Sequence, residues 1–148
     1  GVWAVPHSTE NLDGMGRRAH MYRKVGDEFI ADDFAHEQSI VFETEKGLVI
    51  FNSCSHGGIA NIVREVQNAF AGKKIYAVIG GFHMMKLSGL DTLGIPVDEV
   101  VKVARELKEL GVEKVYTGHC TGMIAFEIMK RELGNMVHAL NTGCRIEI

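Results

Sequence analysis

Residues 74–83, KIYAVIGGFH, place a run of apolar and β-branched side chains directly before two glycines and a histidine. Such a run is typical of a buried β-strand. The same arrangement recurs in residues 47–56, GLVIFNSCSH, and in residues 112–120, VEKVYTGHC. Because parallel strands of an α/β sheet bring their carboxyl ends to one edge, the three segments predict an α/β fold with a ligand or metal site at that edge.

Side chains that bind metals stand at each of these three strand ends. Imidazole suits several transition metals, and thiolate is a softer ligand that favours zinc or iron. A single histidine in such a place is more often a hydrogen-bonded loop residue, but three in equivalent places favour a site. The candidates on this pattern are Cys54, His56, His83, His119 and Cys120.

Helical periodicity separates the strands. Apolar side chains recur at helical spacing in residues 58–70, 96–110 and 122–133, which predicts three amphipathic helices. Pro96 suits the first turn of the second helix, and Thr121 is expected to cap the third.

The remaining segments predict short strands and loops. Residues 39–52 read as a β-hairpin that turns at Glu45-Lys46-Gly47, and short strands are expected at both ends of the chain, the last over residues 144–148. Residues 7–36 and 84–94 show little periodicity and are predicted to be loops.

Composition limits the class of protein. With 148 residues and 46% hydrophobic side chains, the chain fits one packed domain. The net charge of −3 is spread among mixed charges, which argues against a nucleic-acid partner, and no apolar run is long enough for a membrane span. Three cysteines, two of them near strand-end histidines, suit reduced thiols and therefore a cytoplasmic location.

The run HEQSIVFETEKGLVIFNSCSHGG, followed by VIGGFH and YTGHCTG, resembles the second half of the metallo-β-lactamase superfamily. The closest resemblance is to its subgroup of metal-dependent hydrolases and dihydropterin-methyl-ribofuranosylaminobenzene 5′-phosphate synthases, and it extends over residues 32–148. It implies half of an αββα sandwich, a mixed sheet with helices on one face, with one or two metal ions at the seam of the complete domain.

The resemblance also implies roles for particular side chains. His36 is similar to a metal histidine that precedes a strand, and His119 matches the last metal histidine. Cys54 or His56 stands where many members carry a bridging aspartate. His83 is expected at the rim, as a ligand or as a catalytic proton-transfer group. Zinc is the expected metal, with iron or manganese as alternatives.

One signature of the superfamily, H-x-H-x-D-H, does not occur in these residues. The resemblance therefore implies that residues 1–148 form a carboxyl-terminal half-domain, whose amino-terminal half was removed or belongs to another chain. A sheet with helices on one face leaves its other face uncovered. We expect the missing half or a second copy of the chain to cover it.

The expected function follows from this resemblance. In a complete domain we expect a metal-dependent hydrolase or transferase that acts on a small anionic substrate, such as a pterin or a phosphate ester. Free N–H groups where helices begin after His56 and after Cys120 would suit such an anion. The chain alone is expected to be inactive. Two alternatives stay open: a non-catalytic half-domain that assembles with a partner chain, and a di-iron redox protein on the same fold.

Overall fold

A six-stranded mixed sheet forms the centre of the computed structural model. The structure describes residues 1–10, 12–87 and 90–148, with backbone alone for Arg18, Leu87, Leu90 and Asp91. The described elements follow in chain order. They are β1 (Val2–Pro6), α1 (Leu12–Ala19), β2 (Tyr22–Val25), β3 (Glu28–Ala31), β4 (Gln38–Thr44), β5 (Gly47–Phe51), α2 (Ile59–Ala69), β6 (Ile75–Gly80), β7 (Met85–Leu87), β8 (Leu90–Leu93), α3 (Val97–Glu109), β9 (Lys114–Thr117), α4 (Met123–Leu133) and β10 (Val137–Ala139).

The central sheet joins an antiparallel part to a parallel part. Its strand order is β1-β4-β5-β6-β9-β10, antiparallel from β1 to β5 and parallel from β5 to β10. Phe51 pairs with Ile79, and Gly80 pairs with Thr117, so β5, β6 and β9 end side by side. The predicted α/β fold with a mixed sheet is confirmed, and the three strand ends do share one edge.

Three helices cover one face of this sheet. Ile62, Val63 and Val66 of α2 are fully buried, and they belong to one apolar core with α3, α4 and the inward side chains of the strands. Each such side chain contributes about 1.5–3 kcal/mol through burial. The three helices predicted from periodicity are present, each within about a residue of the predicted bounds.

The opposite face of the sheet is only partly covered. Its buried residues Val49, Ala77 and Ile79 pack against Leu140 and Ile146 from the carboxyl-terminal segment. Towards β4 the apolar side chains are exposed, because no described helix lies over them. These side chains are Ile40, Phe42 and Phe51, exposed by 37%, 39% and 46% respectively.

The predicted loop over residues 7–36 is wrong, since that segment contains helix α1 and a hairpin of β2 with β3. The helix was hidden because it carries two glycines. One of them, Gly16, is required by packing: a Cβ there would lie 2.3 Å from the carbonyl oxygen of Asp32. Glycine therefore lets α1 lie directly against the chain that follows β3.

Three smaller expectations also differ from the structure. Strands β7 and β8 pair within the predicted loop over residues 84–94, of which residues 88 and 89 lie outside the described part. Gly122 precedes α4, and no side chain caps that helix; the hydroxyl of Thr121 instead accepts a hydrogen bond from the backbone N–H of Phe82 at 2.9 Å. No strand forms over residues 144–148.

Hydropathy gives no membrane-spanning candidate: among the helices in the described ranges, none is both long and apolar enough to cross a bilayer.

Candidate metal centre

Backbone strain marks all three strand ends. Ser55, His83 and His119 have left-handed backbones, with φ of 56°, 48° and 52°. A non-glycine residue in this region costs about 1–2 kcal/mol, and such strain is concentrated at functional sites. The edge that the sequence singled out is therefore also where the fold tolerates strained residues.

Two thiols and one imidazole meet at this edge. One ligand atom each from Cys54, His119 and Cys120 lies within 4.8 Å of the other two. Ligands of a tetrahedral zinc ion stand about 3.3–3.8 Å apart, so small side-chain rotations would bring these atoms to coordinating positions. We call this group the Cys54–His119–Cys120 cluster. The three cysteines of the chain are free thiols, and Cys144 lies apart from the cluster and is exposed.

The thiol of Cys120 is held by close backbone. Its Sγ accepts a hydrogen bond from the backbone N–H of His83 at 3.3 Å. A Cβ at Gly81 would lie 2.6 Å from this Sγ, so glycine is needed there for the thiol to fit. Burial raises the pKa of Cys120 to about 12, with the neighbouring Cys54 adding to the shift. The thiol is therefore protonated at neutral pH, and a metal ion bound to it would displace that proton.

Beside the cluster, His56 is fixed by a carboxylate. Its backbone N–H and its ring Nδ1 both lie 3.1 Å from Glu37 Oε1, and Gly57 donates to Glu37 Oε2 at 3.2 Å. Burial alone would raise the pKa of Glu37, but these hydrogen bonds outweigh it and hold the pKa below its usual value. The carboxylate is thus ionised, and Nδ1 of His56 carries the proton.

This tautomer leaves the other ring nitrogen of His56 with a free lone pair. Nε2 of His56 is buried and has no hydrogen-bond partner among the described residues. A carboxylate that holds one ring nitrogen while the other binds a metal is a recurrent arrangement in metal sites. Sequence reasoning missed Glu37, although it follows His36 directly; the only signal was its place beside the predicted ligand.

Two rings complete the surroundings of His56. Phe34 stacks on it, with ring centroids 4.4 Å apart and planes 6° apart. His83 lies on it at a centroid distance of 4.5 Å and a tilt of 57°. Burial lowers the pKa of His83, and the nearby His56 lowers it further, so His83 is a neutral imidazole at pH 7. Phe34 was not expected at the site.

The structure therefore brings some of the predicted residues together and leaves one apart. Cys54 and His119 lie in the cluster, and His56 and His83 lie next to it. His36 is 71% exposed, and its Nδ1 lies 3.9 Å from Asp32 Oδ1. Within the described ranges, no group of three close ligand atoms contains His36 or His56, and the role of each remains a prediction.

A chain of hydrogen bonds between buried polar groups connects this edge of the sheet to other segments. The hydroxyl of Ser55 donates to the carbonyl of Gly81 at 2.7 Å and accepts from the Asn52 side-chain amide at 2.8 Å. The Asn52 carbonyl oxygen in turn accepts from Ser39, which lies 3.1 Å from Nε2 of His7. The strand ends that carry His56 and His83 are thereby tied to the start of the chain.

His7 joins this chain to Glu65. Its ring lies between Ser39 and the Glu65 carboxylate, with Nδ1 2.8 Å from Glu65 Oε2. The hydroxyl of Thr9 donates to the other oxygen, Glu65 Oε1, at 2.8 Å.

The donor set fits a metal ion on chemical grounds. Two thiols and an imidazole are the ligands that zinc and iron prefer, and the bare Nε2 of His56 offers a further nitrogen on the same edge. A buried lone pair without a partner is costly unless something binds it.

Comparison with known proteins agrees with these observations. No protein-family model matches the sequence. A curated relative, the 7,8-dihydropterin-6-methyl-4-(β-D-ribofuranosyl)-aminobenzene-5′-phosphate synthase of Methanocaldococcus jannaschii, is 33% identical over 123 residues. That match covers 83% of this chain and 39% of the relative.

A solved structure gives the same result. The crystal structure of a metal-dependent hydrolase of the β-lactamase superfamily matches with a TM-score of 0.74 and 36% identity, over 86% of this chain and 46% of that chain. The chain thus spans less than half the length of either relative. The similarity in both sequence and fold extends over most of the chain's own length, so the chain resembles part of a metal-dependent hydrolase of the β-lactamase superfamily.

Proposed function

We propose that this chain supplies metal-binding strand ends to a metal-dependent hydrolase or transferase whose substrate is a small anion, such as the phosphate ester of a pterin. The Cys54–His119–Cys120 cluster beside the buried, unpartnered Nε2 of His56 carries this proposal, because thiols and imidazoles are the ligands that zinc and iron prefer. The name of the curated relative, a synthase of a pterin-containing phosphate, supplies the substrate class.

Each residue of the edge has a part in this proposal. Cys54, His119 and Cys120 hold the metal, with His56 as a further ligand oriented by Glu37. A metal ion held there acts as a Lewis acid toward a phosphoryl or carbonyl oxygen. Zinc is the metal we propose. If His36 is also a ligand, as the sequence predicts, its exposed side chain must turn toward the cluster.

His83 is placed to exchange a proton with the substrate. Its imidazole is neutral at pH 7 and half-buried. The hydrogen bond from His83 to Cys120 comes from the backbone N–H and not from the ring. A neutral imidazole near the reacting group can accept a proton and later return it. We therefore assign His83 to proton transfer and not to metal binding.

The chain matches less than half the length of each relative. We propose that the other half of the domain, with the H-x-H-x-D-H signature, adds ligands from a second chain or segment. The exposed apolar face of the sheet, formed by Ile40, Phe42 and Phe51, favours such an assembly, because soluble monomers seldom leave a patch of this kind uncovered.

Zinc titration of the chelator-treated chain tests the metal proposal. We expect the chain to bind zinc weakly, through a partial ligand set, and His119→Ala to abolish that binding. His83→Ala should leave binding nearly intact, and Cys144→Ser serves as the matched thiol control, since that thiol lies outside the cluster. Equal zinc affinity in all four proteins would contradict the proposal. An optical spectrum of protein purified without added metal distinguishes iron from zinc.

A further inference from the structure

A cavity of about 450 Å³ lies between the end of α1, the start of β7 and the start of α3. Its apolar lining includes Met15, Met85, Ile95 and Pro96. Methionine side chains are polarizable and adapt to flat ligands. We call this cavity the Met15–Met85 pocket. A larger and more open depression of about 800 Å³ is lined by α3 alone and contains no histidine or cysteine.

The Met15–Met85 pocket adjoins the candidate metal centre through one segment of backbone. His83, Met85 and Lys86 line the pocket. The same segment donates two hydrogen bonds to Cys120, from His83 N–H to Sγ at 3.3 Å and from Met84 N–H to the backbone carbonyl at 3.0 Å. A ligand in the pocket would therefore lie next to the strand end that bears the cluster.

Two charged side chains, Lys86 and Glu99, line the pocket and are exposed. Among the described side chains, neither has an ion-pair partner. Lys102 and Glu106, by contrast, lie on the same helix as Glu99 and pair with each other at 3.9 Å. The pocket thus presents an ammonium and a carboxylate beside an apolar wall.

We propose that the Met15–Met85 pocket binds the organic part of the substrate, a flat heterocycle whose N–H groups face Glu99 and whose phosphate group faces Lys86. The substrate class rests on the proposed function. The ring packs against Met15, Met85 and Pro96, and a carboxylate accepts hydrogen bonds from ring N–H groups while an ammonium pairs with phosphate. His83 lines the same pocket, and its backbone N–H donates to Cys120 Sγ in the cluster.

Equilibrium binding to the metal-free chain tests this pocket without relying on catalysis. The probes are neopterin phosphate and neopterin, followed by their own fluorescence, with inorganic phosphate as a competitor. We expect Lys86→Gln to weaken neopterin phosphate about five- to tenfold and to leave neopterin unchanged. Glu99→Gln should weaken both probes by a similar factor, because the ring is common to them.

Lys102→Gln is the matched control, since that lysine lies on α3 outside the pocket and already has a partner. Each variant is checked by thermal unfolding, and all three changed side chains are exposed, so folding should be retained. The pocket assignment is overturned if Lys86→Gln and Lys102→Gln have equal effects, or if inorganic phosphate competes as well as neopterin does. Zinc titration of the same variants separates this outcome from failure of the metal proposal, because the pocket variants should bind zinc normally.

Discussion

Glu37 accepts two hydrogen bonds from His56, one from the ring Nδ1 and one from the backbone N–H, both at 3.1 Å. The two residues are 19 positions apart and come from segments on either side of the β4–β5 hairpin. The pair fixes the tautomer and the direction of the imidazole, so that its buried Nε2 is left bare. A histidine held in this way is prepared to bind a metal without further ordering.

Glu37→Gln should lower zinc affinity about 10- to 100-fold, the usual cost of losing a carboxylate that orients a ligand. The NH₂ group of glutamine would face an N–H donor, because Oε1 of Glu37 accepts from His56 and Oε2 accepts from Gly57, so one of these two contacts would be lost. Competition with a chromophoric chelator measures the affinity. Glu132→Gln, which removes a half-buried carboxylate paired with Arg105, is the control and should leave affinity unchanged.

Gly81→Ala should destabilise the chain by about 1–3 kcal/mol, because the added methyl group would lie 2.6 Å from Cys120 Sγ and 3.0 Å from the Ser53 carbonyl. Gly14→Ala should instead be neutral or stabilise slightly, since nothing lies within 4 Å of that position in α1. Denaturant midpoints of the two variants give the comparison. Equal stabilities would show that the Cys120 thiol is not packed as described.

The Glu65 carboxylate should make stability depend on acid pH. Burial alone would raise its pKa, but hydrogen bonds from Thr9 and His7 hold the pKa below the usual 4.5. A lowered carboxylate pKa gives stability that is present above the unfolded-state value and is lost as pH falls through the folded-state value. Melting temperatures of the wild type and Glu65→Gln should therefore differ at pH 6 and converge toward pH 3.

Loss of these hydrogen bonds should cost about 1–3 kcal/mol at neutral pH. Glu113→Gln is a suitable control, because that carboxylate pairs with Lys74 at the surface. A gap between wild type and Glu65→Gln that stays constant from pH 6 to pH 3 would show that ionisation of the Glu65 carboxylate does not stabilise the fold.

The uncovered sheet face should make the chain associate. We expect the wild type to bind an apolar dye and to sediment as more than a monomer, because Phe42 and Phe51 leave apolar surface open. Phe42→Lys should reduce both signals. Val97→Lys, at an exposed apolar residue on α3, should not. A wild-type monomer without dye binding would count against assembly through this face.

The main features of the fold could be predicted because they depend on local periodicity. Apolar runs identified β5, β6 and β9, and helical spacing identified α2, α3 and α4. Because parallel strands of an α/β sheet end at one edge, the metal-binding side chains after these strands were expected to lie together. Helix α1 and the hairpin of β2 with β3 could not be found in this way, because glycines and charged residues erase the pattern and packing against other segments stabilises them.

The finer arrangement of the site depends on tertiary contacts that no spacing reveals. Glu37 reaches His56 only after the β4–β5 hairpin folds, and Phe34 stacks on His56 through a left-handed backbone, with φ of 50°. The sequence offers Cys120 as one of several candidate ligands, and in the structure it lies in the cluster with Cys54 and His119. Resemblance to a family gave the expected ligands, but it did not show that His36 would be exposed.

X-ray absorption on the zinc-loaded chain tests the central claim most directly, because it reports the atoms that bind the metal. The cluster of Cys54, His119 and Cys120 predicts sulfur neighbours at about 2.3 Å together with nitrogen neighbours at about 2.0–2.1 Å. Cys120→Ser should remove part of the sulfur signal, whereas Cys144→Ser should leave the spectrum unchanged. A first shell made only of oxygen and nitrogen, identical in the wild type and in Cys120→Ser, would contradict the account.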